Sequence, residues 1–221
     1  MTITLPDMPA RIARLPRDER GYPVPRFVPW VKDGEFARRL DPLAKPEFRY
    51  ADPQFRSRAF HHGLCWVCGE RLGVHKVYGL GPMCVVNRIT SEPAMHRDCA
   101  EWSARACPFL IHPREKRNEK NINPIAGNPG GLMIKRNPGC VALYETPIAK
   151  AIKAGDGWLI KLGDPDRVDW LAEGRQATRE EVLASIDSGY PILFAEAKRD
   201  GLQAIHALGV MRTVAQKLLP A

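Results

Sequence analysis

This sequence has no run near the roughly 18 consecutive apolar residues that a helix needs to cross a bilayer, which argues against a membrane partner. Its start, Met1-Thr-Ile-Thr-Leu-Pro-Asp7, lacks the basic patch and apolar segment of a cleaved signal peptide, so cytoplasmic residence is the expectation. Signatures of common enzymes are missing too: there is no Ser-His-Asp elbow, no dinucleotide fingerprint and no kinase motif set. The Gly/Pro loop from Asn123 to Gly131 lacks the terminal Gly-Lys-Ser/Thr of a nucleotide-hydrolase phosphate loop. Asp164, Asp166 and Asp169 lack the glycine and glutamate pattern of a calcium-binding EF-hand loop and read as solvated turn acids. No complete catalytic constellation emerges, which favours a non-catalytic role.

The 221 residues suffice for one substantial core, or for a small metal module joined to a second compact unit. The six cysteines, in a reducing compartment, favour metal ligation over three disulfides. Four soft ligands fall into two pairs, Cys65-Trp-Val-Cys68 and His96-Arg-Asp-Cys99, separated by 27 residues from Gly69 to Met95. That arrangement predicts a structural zinc site of the Cys3His type, because the borderline-soft dication accepts four tetrahedral S/N donors and keeps thiolates deprotonated. Four protein donors leave no position for a water, so the site is expected to staple rather than catalyse. Gly69 is placed to take a positive φ as the backbone turns around the sulfurs. Cys84 is the alternative ligand, brought back by a hairpin after Gly81; His61 and His62 are further substitutes. Cys107 lies about 12 Å along a helix from Cys99, too far for the same ion, and with Cys140 reads as a packed thiol.

Strand character over 74–80, then Ser91 as N-cap with Glu92-Pro93 opening a helix, would place His96 and Cys99 on one helical face. A knuckle, a hairpin and a helix bearing the second pair resemble the treble clef, over roughly 65–109. That resemblance implies an alternative function as an HNH-like nuclease, in which a hairpin histidine acts as general base. Here the matching interval offers His75 between Val74 and Lys76, without the Asp-His pair of that class; Asn87 and Arg88 follow.

Residues 1–60 read as a proline-rich extended arm, with regular helix expected only between Pro29 and Pro42. Its arginines alternate with aromatics, which suits either a segment wrapped on the body or an arm that meets phosphates and bases. The formal net charge of +8 raises the case for a DNA or RNA partner without deciding it. Arg14, Arg17, Arg58, Arg88, Arg97 and Lys116 are the candidate phosphate contacts.

The zinc module is assigned to 61–113 and a basic, Gly/Pro-rich linker to 114–131. The remaining 132–221 are expected to form an α+β domain, an antiparallel sheet packed by C-terminal helices. Strands are expected over Leu132–Lys135, Cys140–Tyr144 and Trp158–Leu162. Thr178 and Glu181 predict a capping box, Gly189 a helix stop, Pro191 a fresh start, and Leu202–Leu219 an amphipathic helix carrying an exposed His206. The expected molecule is α+β, a small treble-clef-like zinc module joined to that C-terminal unit. Its expected function is zinc-stabilised binding of nucleic acid; the alternative is a protein-binding or assembly factor of a mobile element or virus.

Overall fold

The structure is a computed structural model, and it describes residues 5–39, 41–112, 116, 118, 120 and 137–221. The expected strand at 132–135 and the loop at 123–131 lie outside the described residues. Helices and antiparallel sheets are both present, so the chain is α+β.

A four-stranded sheet divides the molecule. It comprises β4 (Val77–Leu80), β6 (Val141–Glu145), β9 (Arg167–Ala172) and β10 (Arg175–Gln176), in the order β10-β9-β6-β4. Side chains alternate across a strand, and here both faces are apolar. Tyr78, Leu80, Ala142, Tyr144, Trp170 and Ala172 face one core. Val77, Val141, Leu143 and Leu171 face another, together with Cys65, Trp66, Cys99 and Ala100. All five residues of β6 are buried, as a central strand covered on both sides requires. The expected zinc module and the expected C-terminal unit therefore share this sheet, the former supplying β4 and the latter β6, β9 and β10.

On the first face pack α3 (Pro82–Asn87), α6 (Arg179–Asp200) and α7 (Leu202–Gln216). Thr178 and Glu181 form the expected capping box. Gly189 does not stop the helix: α6 runs through both Gly189 and Pro191. The reason lies in packing, since a Cβ on Gly189 would stand 2.8 Å from Met83 Cγ, and the missing side chain lets α6 approach α3. Leu202 also departs from the expected apolar stripe, being 84% exposed, while Leu208 and Ala215 are buried. His206 is exposed.

A second sheet, order β5-β8-β7, consists of β5 (Ile89–Thr90), β7 (Ala149–Ala154) and β8 (Gly157–Leu162). The expected strands 140–144 and 158–162 thus belong to different sheets.

The N-terminal 60 residues hold more regular structure than their prolines suggest: α1 (Ala10–Ala13), β1 (Trp30–Lys32), β2 (Glu35–Ala37), β3 (Lys45–Pro46) and α2 (Pro53–His62). Between Pro29 and Pro42 there is a hairpin instead of a helix, turned by Asp33 and Gly34 at φ 52° and 83°. Two successive positive φ values are what an Asp-Gly hairpin turn supplies. Pro53 sits in the first turn of α2, where its missing N–H costs nothing, and Asp52 caps that helix by accepting from the Gln54 and Phe55 amides. Ile12, Val24 and Val28 are essentially inaccessible, so this segment is seated on the body.

Candidate metal centre

The first ligand pair lies on a tight turn. Leu64 bridges Arg71, the Cys65 amide donates to the Glu70 carbonyl at 2.7 Å, and the Gly69 amide donates to the Cys65 carbonyl at 2.9 Å. Gly69 has φ 79°, as expected from its place after Cys68. The second pair is tied to the first through the backbone. The Trp66 amide donates to the Ala94 carbonyl at 2.9 Å, and Met95 exchanges two hydrogen bonds with Val77 of β4, at 2.7 and 3.1 Å. Met95 is thereby pinned between knuckle and sheet, and the next residue, His96, is delivered to the thiols.

His96 is the N-cap of α4 (Arg97–Ala106). The helix begins here rather than at Ser91, because 94–95 are committed to bridges with the knuckle and β4. Cys99 falls in the first turn, where the unpaired amides and the helix dipole favour a thiolate. Ala100 and Ala104, one turn apart and both buried, let α4 lie close against the sheet.

One ligand atom from each of Cys65, Cys68, His96 and Cys99 lies within 4.8 Å of all the others. Donors bonded to zinc at about 2.3 Å in a tetrahedron would be separated by about 3.8 Å, so the four fit such an ion. His96 Nδ1 is 3.4 Å from Cys68 Sγ, while Nε2 is 3.1 Å from the Arg71 carbonyl. A carbonyl only accepts, so Nε2 carries the proton and the Nδ1 lone pair faces the thiols, the orientation a ligating histidine needs. Cys65 and Cys99 are buried; Cys68 and His96 are half-buried.

The thiols perturb one another. Hydrogen bonds from Cys68 and Cys99 hold the Cys65 thiol well below its ordinary range. Cys65 in turn pushes Cys68 up to about 11, and drives Cys99 upward as well. A bound dication is what allows three neighbouring thiols to ionise together. Cys84, the alternative ligand, lies on α3 and packs against the opposite core, because Pro82–Asn87 is helix and not a returning hairpin. His61 and His62 end α2, and His61 lies against Phe60 and Trp158.

The basic residues fare differently from one another. Arg14 pairs with Glu70 at 2.6 Å, Arg88 with Asp164 at 2.7 Å, and Arg17 donates to the Gly21 carbonyl at 2.9 Å. Arg97 forks between Glu145 at 2.7 Å and Asp169 at 2.8 Å and also meets Glu101. Arg58 and Lys116 are exposed. His75 is 81% exposed in its side chain, with Nδ1 at 2.8 Å from Glu145. Asn87 serves its own turn, accepting from the Ile89 amide.

The sequence reading missed Arg56. It is buried, donates to the Ser91 and Trp158 carbonyls at 2.6 Å each, and lies 3.8 Å over the Trp158 ring. No local signal marks it, since Arg58 lies in the same acid-free helix and is exposed. No protein-family model, curated protein or solved structure matches the chain. No helix among the described residues is long and apolar enough to cross a membrane.

Proposed function

We propose that the protein is a zinc-stapled, non-catalytic binding protein whose partner is nucleic acid. The observation that carries the first half is the closed Cys65, Cys68, His96, Cys99 set, which offers four donors and no vacant position. Cys65, Cys68, His96 and Cys99 would hold the ion, and the ion's contribution would be cross-linking: it joins the knuckle to α4, and through Met95 and Val77 to the central sheet. The order of knuckle, strand and ligand-bearing helix supports a treble-clef-like reading of this part of the chain.

The net charge of +8 supports the second half. Binding would be driven by phosphate contacts, with steep salt dependence and little sequence preference. Titration with single-stranded and duplex DNA at two salt concentrations tests it: micromolar or tighter binding at low salt that weakens steeply with salt supports the reading, and no binding at low salt rejects it.

A protein-binding or assembly role is the second reading, favoured by the exposed Leu202 and Val210 on α7. Metal-dependent hydrolysis through His75 has less support, since Glu145 beside it is already engaged by Arg97.

A further inference from the structure

An antiparallel sheet with one face in water alternates apolar-in with polar-out, and the three-stranded sheet β5-β8-β7 departs from that rule on its outer side. Its inner side is ordinary. Thr90, Ile160 and Leu162 point inward and are buried, the last two in the core that α3, α6 and α7 cover. Residues directly opposite one another across an antiparallel pair share a face, so the register assigns the outer side residue by residue. Lys150 stands opposite Lys161, Ile152 opposite Leu159, and Ile89 opposite Lys161 on its other flank. Ile148 extends the row. A Cβ on Gly163, two residues past Lys161, would stand 2.7 Å from the Ile148 Cβ, so the isoleucine side chain covers that glycine.

Aliphatic groups therefore hold outward places that water would give to polar ones. Ile148 is 54% exposed, and Ile89, Ile152 and Leu159 are half-buried. Among the described residues, none of the four belongs to an apolar core. Between them sit the two exposed lysines, in register across the strand pair. Like charges directly opposite one another destabilise such a pair, and a carboxylate seated over both removes that cost. Two acids flank the face at its ends: Asp164 is engaged by Arg88 at 2.7 Å, and Asp156 belongs to the hairpin turn.

We propose that this outer face docks an amphipathic helix of a protein partner, its aliphatic stripe on Ile148, Ile152, Leu159 and Ile89 and its carboxylates on Lys150 and Lys161. The dimensions agree with one helix. The six residues of β7 run about 20 Å, the length of about 14 helical residues, and three strands about 4.8 Å apart span about 10 Å, one helix diameter. Charge and chemistry select the occupant. A second copy of this face supplies no acid to meet the lysines, and nucleic acid would use the lysines while leaving the aliphatic groups wet. A lipid surface is met by interfacial tryptophan and tyrosine, and this face carries neither.

This docking surface goes beyond the nucleic-acid reading and does not depend on it, so a failed DNA titration leaves it standing. Fluorescence anisotropy is measured with two labelled helical peptides of about 14 residues, which share a leucine stripe at three- and four-residue spacing and differ in flanking glutamates or lysines. The proteins are the wild type, Lys150→Glu/Lys161→Glu, Ile148→Gln/Ile152→Gln, and the control Lys198→Glu/Lys217→Glu on the helical side. All change surface side chains, and matching thermal midpoints check the fold. The wild type should bind the glutamate peptide at least tenfold tighter than the lysine peptide, and Lys150→Glu/Lys161→Glu should invert that preference. Ile148→Gln/Ile152→Gln should weaken the glutamate peptide tenfold or more, with the control unchanged. No saturable binding of the glutamate peptide up to about 1 mM, equal binding of both peptides, or an equal loss in the control would overturn the proposal. A wild-type dimer in sedimentation that Ile148→Gln/Ile152→Gln dissolves would overturn it in favour of a second copy. Anionic phosphatidylserine vesicles bound in place of the peptide would overturn it in favour of a lipid surface.

Discussion

Arg97 follows the candidate ligand His96 in sequence, and its guanidinium lies 2.7 Å from the Glu145 carboxylate on the central strand. Glu145 and Asp169 share the sheet face that carries Val141, Leu143 and Leu171, so Arg97 docks the ligand-bearing helix onto two adjacent strands. The Arg97 guanidinium holds Glu145 below the usual carboxylate range. Arg97→Ala is expected to destabilise the fold by about 2 to 3 kcal/mol, because it leaves partly buried carboxylates without a charged donor. Urea denaturation measures this. The same variant should bind nucleic acid with an unchanged salt slope, since Arg97 is committed internally.

Gly69 closes the knuckle at φ 79°, and a Cβ there would stand 2.8 Å from Arg26 Cγ. Gly69→Ala thus combines a left-handed backbone penalty with a clash, together about 1 to 3 kcal/mol. Adding Arg26→Ala should recover the clash and leave the backbone cost. A double-mutant cycle on unfolding free energies reads the two parts separately.

Trp66 is stacked with Phe27 at 4.8 Å and with Phe55 at 5.7 Å, which fastens the N-terminal segment and α2 to the knuckle. Its indole N–H is buried and has no hydrogen-bond partner among the described residues. Trp66→Ala should cost about 3 to 5 kcal/mol. Trp66→Phe keeps a stacking ring and removes the unpaired donor, so its cost should be below about 1.5 kcal/mol. Chemical denaturation of the two variants checks the ordering.

The clustering of Cys65, Cys68, His96 and Cys99 was legible because residues able to hold a metal are few in kind and their pair spacing is local, and the Thr178–Glu181 capping box was readable for the same reason. The hairpin at Asp33-Gly34 and the cap at Asp52-Pro53 were written just as locally, but the density of prolines around them masked both. Other features depend on partners distant in sequence. That α6 passes through Gly189 follows from Met83 lying against it. That Arg97 docks its helix onto the sheet follows from Glu145 and Asp169, 48 and 72 positions away. The pairing of β4 with β6, which puts the metal module and the C-terminal strands in one sheet, is likewise invisible to periodicity alone.

At the start of α6, the Arg175 guanidinium and the Thr178 amide hold the Glu181 carboxyl down at about 2, from an ordinary 4.5. A depressed carboxylate contributes stability above its unfolded pKa and loses it as pH falls through the folded value. The stability difference between wild type and Glu181→Gln should therefore be constant above about pH 4.5 and shrink toward pH 2. Any metal released in acid affects both proteins alike, so the difference isolates the cap. Urea unfolding at several pH values tests the sign.

The most direct test of the account is native mass spectrometry with elemental analysis, on protein purified without added metal. One zinc per chain is predicted in the wild type. Cys65→Ser and Cys99→Ser should each lose the zinc together with the cooperative thermal transition. Cys84→Ser should keep both. Wild-type protein that is folded and free of metal, or zinc retained at full stoichiometry in both ligand variants, would contradict the claim that these four residues staple the fold.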